Sequence, residues 1–438
     1  MSRRFDEILI LSSQPDANQR IDEVLKEKVR SRIWLPDDPR YGELETITQD
    51  VVRDGDAAVA RYTEKFDGVR LAPEEFRVSQ DELQKAHSQL STNLLRSIRQ
   101  AIANVRKYQS EIFVGNCSTL RGHPGIRYTP IQRVGICVPG ASAPLPSTVI
   151  MTAVPAQVAG VRQIVVVSPP RVKGSIHPVI LAVCSELGLQ EVYRIGGAQA
   201  VIALANGTET IKKVWKIVGP GNQWVQMAKA RALPVVGIDS LAGPSEVLII
   251  ANQDANPAWV AADMLSQAEH DPGSAFLFTD SQVLAENVLW ELERQVDQLN
   301  RSEATTKCLR MYSRIILFDN MDQVIAGANA MAPEHLEIQC GAESRAIAQR
   351  ISDAGAIFIG DYTPVAVGDY WAGPSHTLPT GSTAKFYSPL SANDFIKSTS
   401  IIEYSAEQLA AAADDIIRLA EVEGLDAHAR SVKIRRQQ

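Results

Sequence analysis

The sequence predicts an α/β protein: two Rossmann-like parallel-sheet domains lacking G-x-G-x-x-G, with a helical N-terminal segment and an extended C-terminal tail. Three observations predict it. Apolar runs of strand length recur from about Ile131, stretches of helical period separate them, and the alternation stops beyond Asp361. Strands alternating with helices imply parallel sheets wound in βαβ units. The length, 438 residues, is that of two or three domains.

Taken in order, Tyr41 to Phe66 sets Leu44, Ile47, Val51, Val52, Ala58, Val59 and Tyr62 near a 3.6-residue period and reads as helical; Leu94 to Phe113 repeats the pattern. A first series of strands follows at Val134 to Val138, Ile164 to Val167, Val192 to Ile195, Ile217 to Val218 and Val235 to Ile238. Between them lie helices over Ser147 to Ala159, His177 to Leu187, Ala198 to Ala205 and Gln223 to Ala232. A second series comprises Val247 to Ile250, Phe276 to Phe278, Ile315 to Phe318, Leu336 to Ile338 and Ala356 to Ile359, and the two meet near Asp239 to Glu246. Asp369 to Leu390, rich in Gly, Pro, Ser and Thr, is long for a structureless connection, and such loops are often functional. A last helix spans about Ala406 to Glu423.

Composition narrows the function. With 44 Lys and Arg against 51 Asp and Glu, net charge −7, and no basic block beyond Lys433-Ile434-Arg435-Arg436, the chain has no nucleic-acid footprint. No run approaches the roughly 18 apolar residues of a membrane span, and the apolar run Ile8 to Leu11 is too short for a signal-peptide core. Five cysteines, scattered and never spaced as C-x-x-C, read as reduced thiols, so a cytoplasmic protein is expected.

Three strand-to-helix turns stand where the dinucleotide fingerprint would be: Val138-Pro139-Gly140-Ala141-Ser142, Gly196-Gly197-Ala198-Gln199 and Gly219-Pro220-Gly221-Asn222. Such turns leave backbone N–H groups free at a positive helix end, which suits a phosphate. Four histidines, His270, His335, His376 and His428, sit among polar groups able to bind a metal or move protons. Gln267 and His270 share a helix face at i, i+3. Glu334 and His335 enter a strand after Pro333, where a carboxylate and an imidazole can serve as water activator and general base. Gln267, His270, Asp369 and His428 together would make a sulfur-free N/O site suited to zinc or manganese. Spacing does not show that these segments converge, and H-E-x-x-H is absent, so helix ends and strand mouths without a shared role stay open.

The segments Val138-Pro139-Gly140 to Pro146-Ser147-Thr148, Gly219-Pro220-Gly221-Asn222, Ala242-Gly243-Pro244-Ser245-Glu246 and Leu265-Ser266-Gln267-Ala268-Glu269-His270 resemble, in that order, the signatures of histidinol dehydrogenase. So do Ala332-Pro333-Glu334-His335-Leu336, Gly368-Asp369-Tyr370, His376-Thr377-Leu378-Pro379-Thr380 and the tail Glu423 to His428, and the resemblance runs from about Ile21 to Val432.

The resemblance implies oxidation of the small molecule L-histidinol to L-histidine through an aldehyde, by two hydride transfers to NAD, with one Zn2+ per subunit. It implies Gln267, His270, Asp369 and His428 as zinc ligands, which also meet the substrate. Ser245, His376 and Glu423 line the substrate pocket, His335 is the general base and substrate contact, and Glu334 activates water. Cys137, Gln199 and Asn222 face NAD. It implies a homodimer with exchanged C-terminal tails, each giving Glu423 and His428 to its partner. The division that follows is an N-terminal helical arm over 1–30, a substrate and metal domain from 31–113 with 245–385, an NAD domain over 114–244 and a swapped tail over 386–438. The chain departs from the family pattern at Cys137 (for tyrosine), Ala141 (for glycine) and Ser375 (for asparagine), and Trp215, Trp224 and Pro389 are also atypical. These departures leave open a relative acting on another amino alcohol or charged diol, or a non-catalytic metal-binding dimer.

Overall fold

The computed structural model describes residues 4–11, 14, 16, 17, 19–21, 23, 38–117, 125–140, 144–270 and 272–436. In chain order its strands are β1 (Leu9–Leu11), β2 (Gly125–Pro130), β3 (Arg133–Cys137), β4 (Gln163–Val167), β5 (Glu191–Tyr193), β6 (Lys216–Val218), β7 (Gly237–Ile238), β8 (Glu246–Ala251), β9 (Ser274–Thr279), β10 (Arg314–Leu317), β11 (His335–Gln339), β12 (Ala356–Ile359) and β13 (Ile396–Ile401). The chain forms two compact units, Met1–Phe113 with Ile131–Phe395, and Val114–Pro130 with Ile396–Gln438.

The larger unit holds two parallel sheets. The first has the order β5-β4-β3-β6-β7, so the winding reverses between β3 and β6. In such sheets ligands bind outside the carboxyl ends of the strands at this reversal. The turns after β3 and β6 are the Val138-Pro139-Gly140 and Gly219-Pro220-Gly221-Asn222 segments. The second sheet has the order β1-β10-β9-β8-β11-β12, parallel throughout. Every residue of β3, β8 and β11 is buried, as expected of strands covered by helices on both faces.

The run from Tyr41 to Phe66 is helical as expected, in two helices, Pro39–Asp54 and Asp56–Asp67, that break at Gly55 with φ +54°. At Gly55 the backbone conformation is one that glycine alone adopts readily. There a Cβ would stand 2.2 Å from the Glu209 carboxylate, which accepts the Asp56 N–H at 2.8 Å and so caps the second helix. Three expectations are corrected. Residues 38–113 do not join the 245–385 sheet: Leu44, Ile47, Val51, Ala58, Val59, Tyr62 and Phe76 share a core with Val165, Val201 and Leu204 of the first sheet layer. The N-terminal segment is not wholly helical, because Leu9–Leu11 adds a parallel edge strand beside Ile315 to Leu317. Much of the expected arm, including residues 24–30, lies outside the described residues. The boundaries at 114 and 386 also shift: β2 pairs antiparallel with β13 in the smaller unit, while 386–395 belongs to the larger one. In the smaller unit the helices Ala406–Val422 and Asp426–Lys433 pack through Ala413, Ile417, Ala420, Ala429 and Val432. Among the described residues no helix is long and apolar enough to cross a membrane.

Candidate active site

The two sheets of the larger unit contribute opposite ends of their strands. The first sheet supplies the turns that follow β3, β5 and β6, and the second supplies residues that precede β8, β9 and β11. A cleft of about 540 Å³ is lined by Cys137, Gly140, Gly197, Gln199 and Asn222 from the first and by Gly243, Ser245, His270 and Pro272 from the second.

Glu334 and His335 stand at the amino end of β11 beside the start of β8. Glu334 is buried, and its Oε2 accepts the Ser245 hydroxyl and the Glu246 N–H, each at 2.8 Å. Burial pushes its carboxyl up to about 7; the neighbouring His335 pulls the other way, and the Glu246 carboxylate adds to the rise. His335 is buried as well. Its Nδ1 lies 3.0 Å from the Glu246 carbonyl, which can only accept, so Nδ1 carries the proton and the neutral ring keeps its lone pair on Nε2. That nitrogen is 3.9 Å from Asp369 Oδ1. An imidazole fixed in this tautomer can take a proton at Nε2.

Asp369 comes from the short helix Val365–Tyr370 and, with His335, Phe358 and His376, lines a smaller cavity of about 140 Å³. His376 Nε2 is 3.1 Å from the Ser147 hydroxyl. Burial holds its imidazole below the ordinary value, opposed by the charge of Asp369, while His335 and His270 reinforce the decrease. His376 therefore feels the charges of Asp369, His335 and His270. Ser375 is buried; its hydroxyl donates to the Met151 carbonyl at 3.0 Å and accepts the Thr377 N–H at 3.1 Å, so it shapes the loop that carries His376.

Gln267 and His270 end the Pro257–Ala268 helix. Gln267 is buried, and its Nε2 has no hydrogen-bond partner, an orphaned polar atom in need of one. His270 Nδ1 sits 3.2 Å from the Ser266 carbonyl, again leaving the Nε2 lone pair available. Gly273 permits this crowding, since a Cβ there would lie 2.0 Å from the Gln267 carbonyl oxygen. Among the described residues no group of three or more His, Cys, Asp and Glu is placed to hold a metal ion. Glu423 and His428 belong to the smaller unit, where both are exposed.

On the first-sheet side of the cleft, Gln199 is wholly buried with both amide atoms unpartnered. Asn222 caps the Gln223–Ala232 helix, its Oδ1 accepting the N–H groups of Trp224 and Val225 at 3.1 and 3.2 Å. Cys137 is buried at the end of β3 and its thiol is pushed up to about 12 by burial, so it is no nucleophile near neutral pH. Gly219 has φ +105°, and a Cβ on it would sit 2.3 Å from the Cys137 carbonyl oxygen. Its N–H and C=O are tied to Asp239 and Lys229 respectively, at 2.7 and 3.1 Å, and these two residues form a buried ion pair. Ala141 lies outside the described residues.

The family model for histidinol dehydrogenase matches residues 38–436. The chain belongs to the histidinol dehydrogenase family. The histidinol dehydrogenase of Rhodopirellula baltica is 46% identical over 396 residues, 90% of this chain and 86% of that one. Histidinol dehydrogenase 2 of Trichormus variabilis is 48% identical over 399 residues, 90% and 91% of the two chains. The crystal structure of histidinol dehydrogenase from Elizabethkingia anophelis superposes with a TM-score of 0.91 at 34% identity, covering 99% of this chain and 98% of that chain.

In this family member, several residues without an expected role join the site. Glu246 receives the Glu334 and Gly381 N–H groups on Oε1, at 3.2 and 3.0 Å, and orients His335 through its carbonyl. Its place in the segment Gly243-Pro244-Ser245-Glu246, at the mouth of an all-apolar strand, was the available signal. Lys229 and Asp239 brace the Gly219 turn, and a lysine on the buried Met227-Ala228 stretch of a helix marks such a role. Phe66, Asp67 and Arg171 line the far part of the cleft, with nothing in their local sequence to announce it.

Proposed function

We propose that this chain, an oxidoreductase of histidine biosynthesis by family, oxidises L-histidinol to L-histidine with two molecules of NAD and a resident zinc ion. The observation that carries the reading is the fixed tautomer of His335, whose Nε2 lone pair lies beside Asp369 and within a residue of a carboxyl poised near neutrality.

The donor set fits zinc: the oxygen of the buried Gln267 amide, an imidazole with a free Nε2 and a carboxylate, with His428 of a second copy as the fourth. When bound by Gln267, His270, Asp369 and His428, the ion would orient the substrate's nitrogens and polarise its oxygen. The cleft fits a dinucleotide: Gln199, whose amide is unsatisfied, and the Pro220-Gly221-Asn222 turn line it, and NAD would supply the hydride acceptor there. In the first half-reaction His335 Nε2 takes the hydroxyl proton as hydride leaves the carbinol carbon. In the second, Glu334 takes a proton from water as its oxygen adds to the aldehyde, and His335 takes the hydrate's proton as the second hydride leaves. Overall one alcohol, one water and two NAD give one carboxylate, two NADH and three protons. Ser245 holds Glu334 in place, while His376 and the partner-donated Glu423 bound the substrate pocket.

The reading includes a cytoplasmic homodimer with exchanged tails. The exposed apolar residues Leu419, Val422, Leu425 and Ile434 of the smaller unit support it, since they offer a face for a second copy. Purified protein given zinc, NAD and L-histidinol should release about two NADH per substrate; no NADH under those conditions overturns the assignment. His335→Asn should lower turnover by about 10²–10⁴ with zinc retained, and loss of zinc would contradict its role as base.

A further inference from the structure

One end of the large cleft carries a charge arrangement that the chemistry above does not use. In doubly wound sheets the loop after the strand next to the first one reaches the adenosine ribose: an acid there accepts the 2′-hydroxyl, and an arginine accommodates a 2′-phosphate. The loop after β4 in this chain carries Arg171 and no acid in Ser168-Pro169-Pro170-Arg171, so position alone would favour a 2′-phosphate. The arginine is not free, however. Its Nε donates to Asp67 Oδ1 at 2.8 Å and its Nη2 to the Phe66 carbonyl at 3.3 Å.

Asp67 ends the Asp56–Asp67 helix, its side chain is only 5% exposed and it lines the cleft with Arg171. Its other oxygen, Oδ2, accepts nothing from the described residues and can take a ribose hydroxyl. The loop itself is held: Val172 and Ser175 exchange backbone hydrogen bonds of 3.0 and 2.9 Å, and Arg194 Nε donates to the Ser175 hydroxyl at 3.1 Å. Lys65 lies 4.8 Å from the Phe66 ring centre and pairs with Glu43 at 3.1 Å. Among the residues that line the cleft Arg171 is the one Lys or Arg side chain and it is already paired with Asp67, so an arriving dianion meets the Asp67 carboxylate without an uncommitted lining cation to offset it.

We propose that Asp67, by engaging Arg171 and presenting its second oxygen to the cleft, makes this site select a dinucleotide with a free 2′-hydroxyl over one with a 2′-phosphate. The inference rests on the cleft being the dinucleotide site. The test is equilibrium titration of the full-length protein with NAD and with NADP, read by ligand-dependent fluorescence, for wild type, Asp67→Asn, Asp67→Ser and Arg171→Ala.

Wild type should bind NAD about 100-fold or more tightly than NADP, since like-charge juxtaposition is worth several kcal/mol. Both Asp67 variants should narrow that ratio about tenfold or more, which is about 1.4 kcal/mol. Arg171→Ala should widen it, because it bares the carboxylate. Opposite movement in the two kinds of variant separates charge selection from mere loss of loop structure, which would weaken both nucleotides together. Wild type binding NAD with the ratio unmoved in Asp67→Asn and Asp67→Ser, or moved the same way in Arg171→Ala, overturns the inference alone. Wild type binding neither nucleotide overturns the cleft reading and the inference with it.

Discussion

Glu334 couples the chemistry of the site to the stability of the fold. Its carboxyl, pushed by burial from the usual carboxylate range to about 7, binds a proton more tightly in the native protein than in the unfolded chain. A raised acid contributes stability that is complete below its unfolded value of about 4.5 and is lost as pH rises through the folded value. Wild type should therefore lose stability relative to Glu334→Gln between about pH 4.5 and 7, measured as the difference in urea midpoints; a difference independent of pH would show that Glu334 does not titrate as described. The cysteines give a second check. Cys117 is exposed, whereas Cys137, Cys184, Cys308 and Cys340 are buried, and burial pushes the thiols of Cys137, Cys184 and Cys340 up to about 12. One thiol per chain should react with a thiol-specific reagent in the native protein and all five after unfolding. Rapid native reaction at Cys137 would contradict its burial behind the Gly219 turn.

The element that shapes the first-sheet side of the cleft is the β6 turn, held by Lys229 on the following helix and Asp239 after β7. Removing one member of a buried ion pair strands the other charge, typically at about 3–5 kcal/mol. Lys229→Met should lower the urea midpoint and weaken NAD binding together, and Lys229→Met with Asp239→Asn should be less damaging than the sum of the single changes. An additive double variant would mean the pair acts as two unrelated groups. Elements that share a buried sheet were readable in the sequence, because β3 and β8 are apolar at nearly every position and so differ sharply from their flanks. The β2–β13 pair was not, since Ile396-Lys397-Ser398-Thr399-Ser400-Ile401 is largely polar and pairs with a segment far away in sequence. The break at Gly55 depends on the Glu209 carboxylate, which no local period records. The same division holds at the site. Glu334 and His335 are adjacent polar residues at a strand mouth and stand out, but their bonds to Glu246 span 88 and 89 residues and the Asp67–Arg171 pair spans 104.

For the whole molecule the proposed exchange of tails turns on which chain supplies Glu423 and His428. Glu423 and His428 belong to the smaller unit, while Glu334, His335, Gln267, His270 and Asp369 belong to the larger one. Mixed dimers distinguish the two. His335→Asn and His428→Ala should each be inactive as homodimers. If tails are exchanged, a dimer of one His335→Asn chain and one His428→Ala chain gathers both lesions in one site and leaves the other intact. Random reassortment of equal amounts makes about half of the dimers mixed, each with one working site in two, so the mixture should recover about a quarter of wild-type activity. If each tail serves its own chain, every site in the mixed dimer carries one lesion, and the mixture stays as inactive as its parents. On the proposed ligand set zinc content follows the same arithmetic, because a site lacking His428 would lose a ligand while one lacking His335 would not. Activity recovered on mixing, with zinc bound in the His335→Asn parent and depleted in the His428→Ala parent, would place the fourth ligand in the partner; no recovery, with both parents folded and dimeric, would return the tail to its own chain.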